Sequence, residues 1–145
     1  MKLTMKGDYG LRAMLDLAHH YGQGPIQSGD IAVRQYIPEP YLDQLLITLR
    51  RAGLVKSVRG PQGGHMLARH PQQITMGEVI QALEGYIAPM ECLPDPSFCH
   101  LSPNCALREV WIKVDEFTRH LLMHTTIEEL AQRHFTDKAE TMYYI

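Results

Sequence analysis

The chain has 145 residues, 45% of them hydrophobic, and a formal charge of -2, which fits one domain with an appended helix. Lys6, Asp8 and Arg12 interrupt any apolar core near the start, which excludes a secretory signal. No later stretch reaches the roughly 18 apolar residues that a membrane span requires. We therefore expect a cytoplasmic protein that does not enter a membrane.

Charge is distributed unevenly along the chain. Residues 1–70 contain nine Lys and Arg against five Asp and Glu, whereas residues 71–145 contain five against eleven. This asymmetry suggests that only the first half faces a polyanion such as DNA. An uneven scatter of solvated surface charges is the alternative that charge alone leaves open.

Three helices are predicted in the first half of the chain. Apolar residues recur at helical spacing within residues 5–21 and indicate the first helix. Ser28 is suited to cap a short second helix. After two prolines, residues 41–52 place a stripe of apolar side chains on one face of a third helix, which Gly53 ends.

A β-hairpin is predicted after the third helix. The segments LVKSV and HMLAR alternate apolar and polar residues, and the turn RGPQGG joins them. Gly60, Gly63 and Gly64 are expected to permit this turn and, secondarily, to let backbone amides approach a phosphate. Helices followed by a two-stranded wing indicate a winged helix-turn-helix domain, which we assign to residues 1–85. The expected fold is mainly α with a small β-hairpin.

Candidate DNA-binding side chains lie on the third helix and at the wing tip. Gln44 matches the hydrogen-bonding pattern of adenine, and Asp43 can accept from the cytosine amine. Arg50 and Arg51 are placed to contact phosphates, and Arg59 at the wing tip can enter the minor groove. The alternatives are that Asp43 only complements the helix dipole and that the arginines are solvated surface residues.

The segment 86–105 has no hydrophobic periodicity and contains all three cysteines of the chain, which are Cys92, Cys99 and Cys105. An odd number of cysteines argues against a disulfide framework and for a metal site, a redox pair or buried thiols. Thiolates suit zinc and iron–sulfur clusters, both of which normally need four ligands. His100 completes a zinc site in one interpretation, and Glu91, Asp95 or a residue of another subunit are the other candidates.

The longest helix is predicted to begin at Ala106. It carries more apolar residues than one thin N-terminal domain would cover, so we expect it to pack on a second copy across a two-fold axis. An intramolecular core helix is the alternative. Thr126 and Glu129 have capping-box spacing and open a last helix. Residues 106–145 are thus assigned as a dimerisation helix and a C-terminal helix. The apolar set of the long helix is Leu107, Val110, Trp111, Val114, Phe117, Leu121 and Leu122.

Three segments and the cysteine loop together resemble a known family. MKGDYGLRAMLDLA, YLDQLLITLRRAGLVKSVRGPQGG and ITMGEVIQALEG are similar to the Rrf-two family of bacterial winged-helix regulators, over roughly residues 1–130. The resemblance implies a homodimeric transcription regulator, expected to be a repressor, that binds pseudo-palindromic double-stranded DNA. It also implies an iron–sulfur cluster that senses redox state, nitric oxide, iron or iron–sulfur status. The family pattern matches the three cysteines and Tyr41, Leu42, Arg59, Gly60, Pro61, Gly63 and Gly64.

Two departures from the family pattern concern the site. Pro40 and Asp43 stand where IscR-like members have Ser and Glu, so their operator preference does not transfer. Arg108 stands where those members have a His that ligates a two-iron cluster. NsrR-like members take the fourth ligand from an acidic residue of the partner's first helix, a position that Asp8 matches. The resemblance therefore favours a four-iron, four-sulfur cluster over a two-iron, two-sulfur one, with Asp8 of the partner subunit as the fourth metal ligand.

Two other functions remain open from the sequence. One is a zinc-stabilised winged-helix regulator without cluster sensing. The other is a metalloprotein that does not bind DNA. No conspicuous acid/base constellation lies beside the cysteines, so we do not expect an enzyme.

Overall fold

The computed structural model describes residues 2–143, with side chains described for residues 2–136. The last two residues of the predicted 106–145 unit therefore lie outside the described part. The mainly α fold with a small hairpin is confirmed. Its elements in chain order are α1 (Met5–His19), α2 (Ser28–Gln35), α3 (Glu39–Arg51), β1 (Val55–Val58), β2 (Gly64–Leu67), α4 (Met76–Glu84), α5 (Ala106–His124) and α6 (Ile127–Tyr143).

Side-chain caps mark the starts of α1 and α4. The Thr4 side chain accepts a hydrogen bond at the start of α1. Thr75 and Glu78 form a capping box at the start of α4. The predicted cap at Ser28 is wrong, because Ser28 lies inside α2 and its hydroxyl donates to Glu39 instead, at 3.4 Å. A carboxylate from the next helix has replaced the local backbone as the partner of this hydroxyl.

One core joins the helices of the N-terminal half to α6. Met14 of α1, Ile31 of α2 and Leu42 of α3 are fully buried together, and so is Ile127 of α6. The last helix therefore packs back on α1 rather than extending away with α5. The N–H of Ile127 donates to the carbonyl of Ile74 at 2.8 Å, which fixes the α5–α6 turn beside the start of α4.

The wing is a two-stranded antiparallel sheet that is also hydrogen-bonded to the segment before α2. Val55 pairs with Leu67 and Val58 pairs with Gly64. His65 also exchanges two backbone hydrogen bonds with Ile26, of 2.9 and 2.7 Å. The segment before α2 therefore acts as a third, one-residue strand and holds the wing against the helical body.

Helix α5 contacts α4 and leaves most of its apolar side chains uncovered. Phe117 is 72% exposed and Leu107 is 71% exposed. Asp115 is the buried residue of α5, and it accepts a 2.8 Å hydrogen bond from the hydroxyl of Tyr86. An intramolecular core helix is thus not what the described residues show. Among the described helices, none combines the length and the apolar character needed to cross a bilayer.

Candidate nucleic-acid interface and cysteine loop

Helix α3 has one buried face and one solvent-facing face. Its leucines at positions 42, 45, 46 and 49 are buried in the core. Asp43, Gln44, Arg50 and Arg51 lie on the other side with exposed side chains. Burial of the leucine stripe fixes the rotation of the helix, so these four polar side chains are presented outward together.

Tyr41, which matches the family pattern and is a further candidate for DNA contact, differs from the polar residues of α3 because it is only partly exposed. Its ring packs edge-on against the ring of Tyr9, with centroids 5.7 Å apart and planes at 78°. An edge-to-face aromatic pair stabilises both rings in a defined orientation. Tyr41 therefore anchors the first turn of α3 to α1, which leaves only its outer edge for a contact with DNA.

The wing lies beside α3, because β1 contacts that helix directly. Burial lowers the pKa of His65 on β2, while Asp43 raises it and Arg50 lowers it further. The charges of Asp43 and Arg50 on α3 thus bear on this residue of the wing. Arg59 is exposed at the tip of this wing. A helix and an adjacent hairpin can contact the major groove and the flanking minor groove of one duplex.

Each glycine of the wing has a steric reason to be glycine. Gly60 has a φ of 109°. A Cβ on Gly63 would lie 2.1 Å from the carbonyl oxygen of Val58, and a Cβ on Gly64 would lie 2.4 Å from that of Ile26. Packing thus accounts for Gly63 and Gly64, whereas Gly60 is exposed and its backbone remains accessible to a phosphate.

The cysteine loop is folded back on the start of α5. Cys105 is the residue that precedes α5, and the Nε of Arg108 in its first turn donates to the carbonyl of Cys92 at 3.3 Å. The carbonyl of Cys99 accepts from the N–H of Ser102 at 3.1 Å. All three thiols are free, with Cys99 exposed and the other two half-buried. The Arg108 contact therefore holds Cys92 beside the start of the helix that Cys105 precedes.

The donor chemistry of this loop fits a thiolate-bound metal group, but its side chains do not converge on one point. Within residues 2–136, no three His, Cys, Asp or Glu side chains are grouped so as to hold a metal ion. Asp95 is engaged as a local cap, because hydrogen bonds from the Ser97 hydroxyl and N–H lower its pKa. His100 and Glu91 are exposed.

Asp8 is engaged within its own chain. It forms an ion pair with Arg12, one turn later on α1. Arg12 also donates to the carbonyl of Gln35 at 3.2 Å and lies over the ring of Tyr9. To act as a fourth metal ligand, Asp8 would have to release Arg12 and bind the metal instead. The spacing of the two residues was readable from the sequence, since side chains four apart on a helix are neighbours.

Sequence reasoning missed Glu84 at the end of α4. Its Oε1 atom accepts hydrogen bonds from the N–H groups of Thr4 at 2.8 Å and Gly7 at 3.0 Å. A hydrogen bond from the Thr4 hydroxyl contributes most to lowering the pKa of Glu84. This contact fixes the turn of α1 that carries Asp8. No local pattern could have revealed it, because its partners are about eighty residues away.

Comparison with known proteins agrees with this geometry. The sequence profile of the Rrf2 (Rrf-two) family, described as an iron-dependent transcriptional regulator, matches residues 3–133. The HTH-type transcriptional regulator CymR of Bacillus subtilis is 41% identical over 145 residues, which is 100% of both chains. The HTH-type transcriptional regulator IscR of Pectobacterium atrosepticum is 38% identical over 130 residues, covering 90% of this chain and 79% of that protein.

A solved structure shares the fold at a similar level of identity. The structure of CymR (YrzC), the global cysteine regulator of B. subtilis, superposes with a TM-score of 0.79 and 42% identity. The match covers 92% of this chain and 98% of that chain. A profile match over most of the chain, together with full-length relatives, establishes the family. The chain belongs to the Rrf2 family of winged-helix transcriptional regulators and is not an enzyme.

Proposed function

We propose that the protein acts in the cytoplasm as a homodimeric repressor that binds a pseudo-palindromic operator through α3 and the wing. The observation that carries this proposal is the adjacency of the polar face of α3 and the wing that ends in Arg59. Asp43 and Gln44 would read base edges, whereas Arg50 and Arg51 would contact phosphates. The local excess of basic residues in the first half supplies the attraction to DNA that the whole chain lacks.

The apolar face of α5 supports the homodimer. Its exposed side chains recur every three or four residues, so they form one continuous stripe rather than scattered contacts. A second copy of the same helix would cover this stripe in a two-fold arrangement. Two α3 helices related by that axis would read two half-sites, which is why a pseudo-palindromic operator is the expected target.

We further propose that the cysteine loop controls DNA binding by holding an iron–sulfur cluster. Cys92, Cys99 and Cys105 would supply three thiolates, and Asp8 of the partner subunit would supply the fourth ligand. Arg108 occupies the position of the histidine ligand of IscR-like members, which favours four irons over two. The cluster would supply iron that reacts with oxidants or nitric oxide, or that reports iron supply. Asp8 lies on α1, so its engagement would bear on the helix that packs against α3.

A second candidate keeps the DNA-binding function but replaces the cluster by thiol chemistry or by zinc. It is favoured by the exposed thiol of Cys99 and by the full-length similarity to CymR, the global cysteine regulator of B. subtilis. In its zinc form, His100 would be the fourth ligand beside the three thiolates. In both candidates the cysteine loop senses the signal. The identity of the group bound there therefore distinguishes one candidate from the other.

Cofactor analysis of anaerobically purified protein separates the two candidates. The cluster proposal expects brown protein that contains iron and acid-labile sulfide and loses both in Cys92→Ala. Asp8→Ala should retain the protein fold but alter the absorption spectrum. Colourless protein with zinc, or without metal, would contradict cluster binding and support the second candidate.

DNA binding is tested independently by fluorescence anisotropy at several salt concentrations. Arg59→Ala should weaken binding. It should also reduce the slope of log affinity against log salt concentration by about one, since one fewer counterion is released. Arg133→Ala is the matched control, because this exposed arginine lies on α6, away from the wing. Equal effects of the two variants, or affinity that is independent of salt, would contradict the proposed interface.

A further inference from the structure

Tyr36, in the turn between α2 and α3, has an unusual backbone conformation. Its φ of 54° and ψ of 46° lie in the left-handed region. It is the only residue other than glycine with a positive φ in the described part of the chain. Side chains with a Cβ rarely adopt this conformation, and a bulky aromatic residue there calls for an explanation.

The two neighbours of Tyr36 force this conformation. Gln35 is buried, and its Nε2 donates to the carboxylate of Asp16 at 3.0 Å. Ile37 is also buried, and its N–H donates to the carbonyl of Ala32 at 3.0 Å. With both flanking residues fixed in the interior, the chain turns sharply at Tyr36 and directs its side chain outward.

The fold gains nothing evident from an aromatic ring at this position. Tyr36 is 87% exposed, and Val33, one turn earlier on α2, is 77% exposed. Glycine or asparagine would form the same turn at lower conformational cost. An exposed tyrosine held in a left-handed turn is therefore better explained by a contact outside the chain than by packing.

The location of the turn indicates what that contact is. Tyr36 lies three residues before α3, the helix proposed to enter the major groove, and it belongs to the basic half of the chain. The segment that leads into a groove-reading helix passes the phosphodiester backbone, where tyrosine hydroxyls are regular hydrogen-bond donors. The ring and Val33 also offer an apolar surface to a deoxyribose.

We infer that Tyr36 is a further DNA-contact residue, whose hydroxyl donates to a phosphate oxygen beside the groove that α3 enters. Its ring, with Val33, packs against the adjoining sugar. This inference rests on the proposed DNA interface. The contact is to the backbone and needs no particular sequence, so Tyr36 fixes the position of α3 on the duplex while α3 itself reads the bases.

The test measures binding of the full-length protein to a mixed-sequence duplex by fluorescence anisotropy at low salt. Tyr36→Phe removes only the hydroxyl and should weaken binding roughly 3- to 10-fold, the usual effect of losing one hydrogen bond. Tyr36→Asn also removes the ring and should weaken binding further. Because asparagine tolerates the left-handed conformation, the thermal unfolding temperature of the Tyr36→Asn variant should not fall. Tyr21→Phe, at a second exposed tyrosine of this domain, is the matched control and should bind as the native protein does.

Arg59→Ala, measured in parallel, separates failure of this inference from failure of the proposed interface. If Arg59→Ala weakens binding and both Tyr36 variants bind normally, the inference on Tyr36 is overturned and the interface stands. If none of the three changes alters binding, both are overturned. If the Tyr36 variants change the dimer mass or the thiol reactivity of Cys99 without changing affinity, Tyr36 contacts the partner subunit instead, which also overturns the inference.

Discussion

The carboxylate of Glu84 accepts a 2.8 Å hydrogen bond from the backbone N–H of Thr4, so the last residue of α4 caps the start of α1. The same oxygen accepts a second hydrogen bond, from the N–H of Gly7. A carboxylate at this position also complements the positive end of the α1 dipole. The contact joins the residue just before the cysteine loop to the helical turn that carries Asp8.

Replacement of Glu84 by alanine should lower the free energy of unfolding by about 1 kcal/mol at neutral pH, as for loss of a helix cap. The hydrogen bonds from Thr4 lower the pKa of Glu84, so the stabilisation is complete above the unfolded-state pKa of about 4.3. It is lost as the pH falls through the lower pKa of the folded state. Urea denaturation of Glu84→Ala and native protein at neutral pH and near pH 3 measures this difference.

Glu109→Ala serves as the control for this prediction, because Glu109 is an exposed acidic residue in the first turn of α5. Its effect on the free energy of unfolding should be smaller and should vary little with pH. If Glu84→Ala lowered the free energy of unfolding by the same amount at acidic pH, the lost stability would come from packing rather than from the ionised cap.

Asp16→Ala should destabilise the protein strongly. Asp16 is 1% exposed and accepts hydrogen bonds from two nitrogens of Arg34, at 3.0 and 2.9 Å. Removal of one partner of a buried ion pair costs about 3 kcal/mol or more. We expect a value near the lower end, since the Arg34 side chain is 40% exposed and can be hydrated. Chemical denaturation of this variant should be compared with Arg133→Ala, whose exposed pair with Glu129 contributes about 0.5 kcal/mol or less. Equal losses would contradict the role of burial.

The sequence predicted elements whose signals are local and missed contacts between distant segments. The leucine stripe of α3 and the glycine-rich turn of the wing are determined within about fifteen residues, so periodicity and turn composition were sufficient to find them. The cap at Ser28 failed because Glu39 competes for its hydroxyl. The docking of α6 on α1 was not evident from helical spacing, which shows that a face is apolar but not what covers it.

The candidate site could be predicted only in part, for the same reason. The outward position of Gln44 and the exposed tip at Arg59 follow directly from the helix and hairpin patterns. The strain at Tyr36 arises from the burial of both its neighbours, which no local pattern reports. Cysteine spacing gives the number of thiols near the start of α5, but their convergence on a metal depends on loop conformation and on a second subunit.

Gly64→Ala should destabilise the protein and weaken DNA binding together. The new Cβ would lie 2.4 Å from the backbone oxygen of Ile26, the residue that hydrogen-bonds the turn end of β2 to the body. Overpacking against rigid backbone costs about 1 to 3 kcal/mol and should displace the wing from α3. Gly24→Ala is the control, because its φ of 87° is also unfavourable but nothing lies within 4 Å of its Cβ. Thermal unfolding measures the loss of stability in each variant. Fluorescence anisotropy should show that only Gly64→Ala loses affinity for DNA. Normal affinity of Gly64→Ala would mean that the placement of the wing does not govern binding.

Phe117→Glu should separate the proposed dimer into monomers. Phe117 lies in the middle of the apolar stripe of α5 and is 72% exposed in the single chain, so the substitution leaves the fold of the monomer unstressed. Across a two-fold interface, however, it would bury a carboxylate without a partner, at a cost of several kcal/mol. Sedimentation at matched concentration should give the 16.5 kDa monomer for the variant and twice that mass for the native protein.

Glu116→Lys is the control for this prediction. It changes the adjacent residue, on the side of α5 opposite to the apolar stripe, and should remain dimeric. Operator binding should fall far more in Phe117→Glu than in the control, because two linked half-site contacts become independent ones. If Phe117→Glu remained dimeric, the dimer interface would have to lie on a surface other than this stripe of α5.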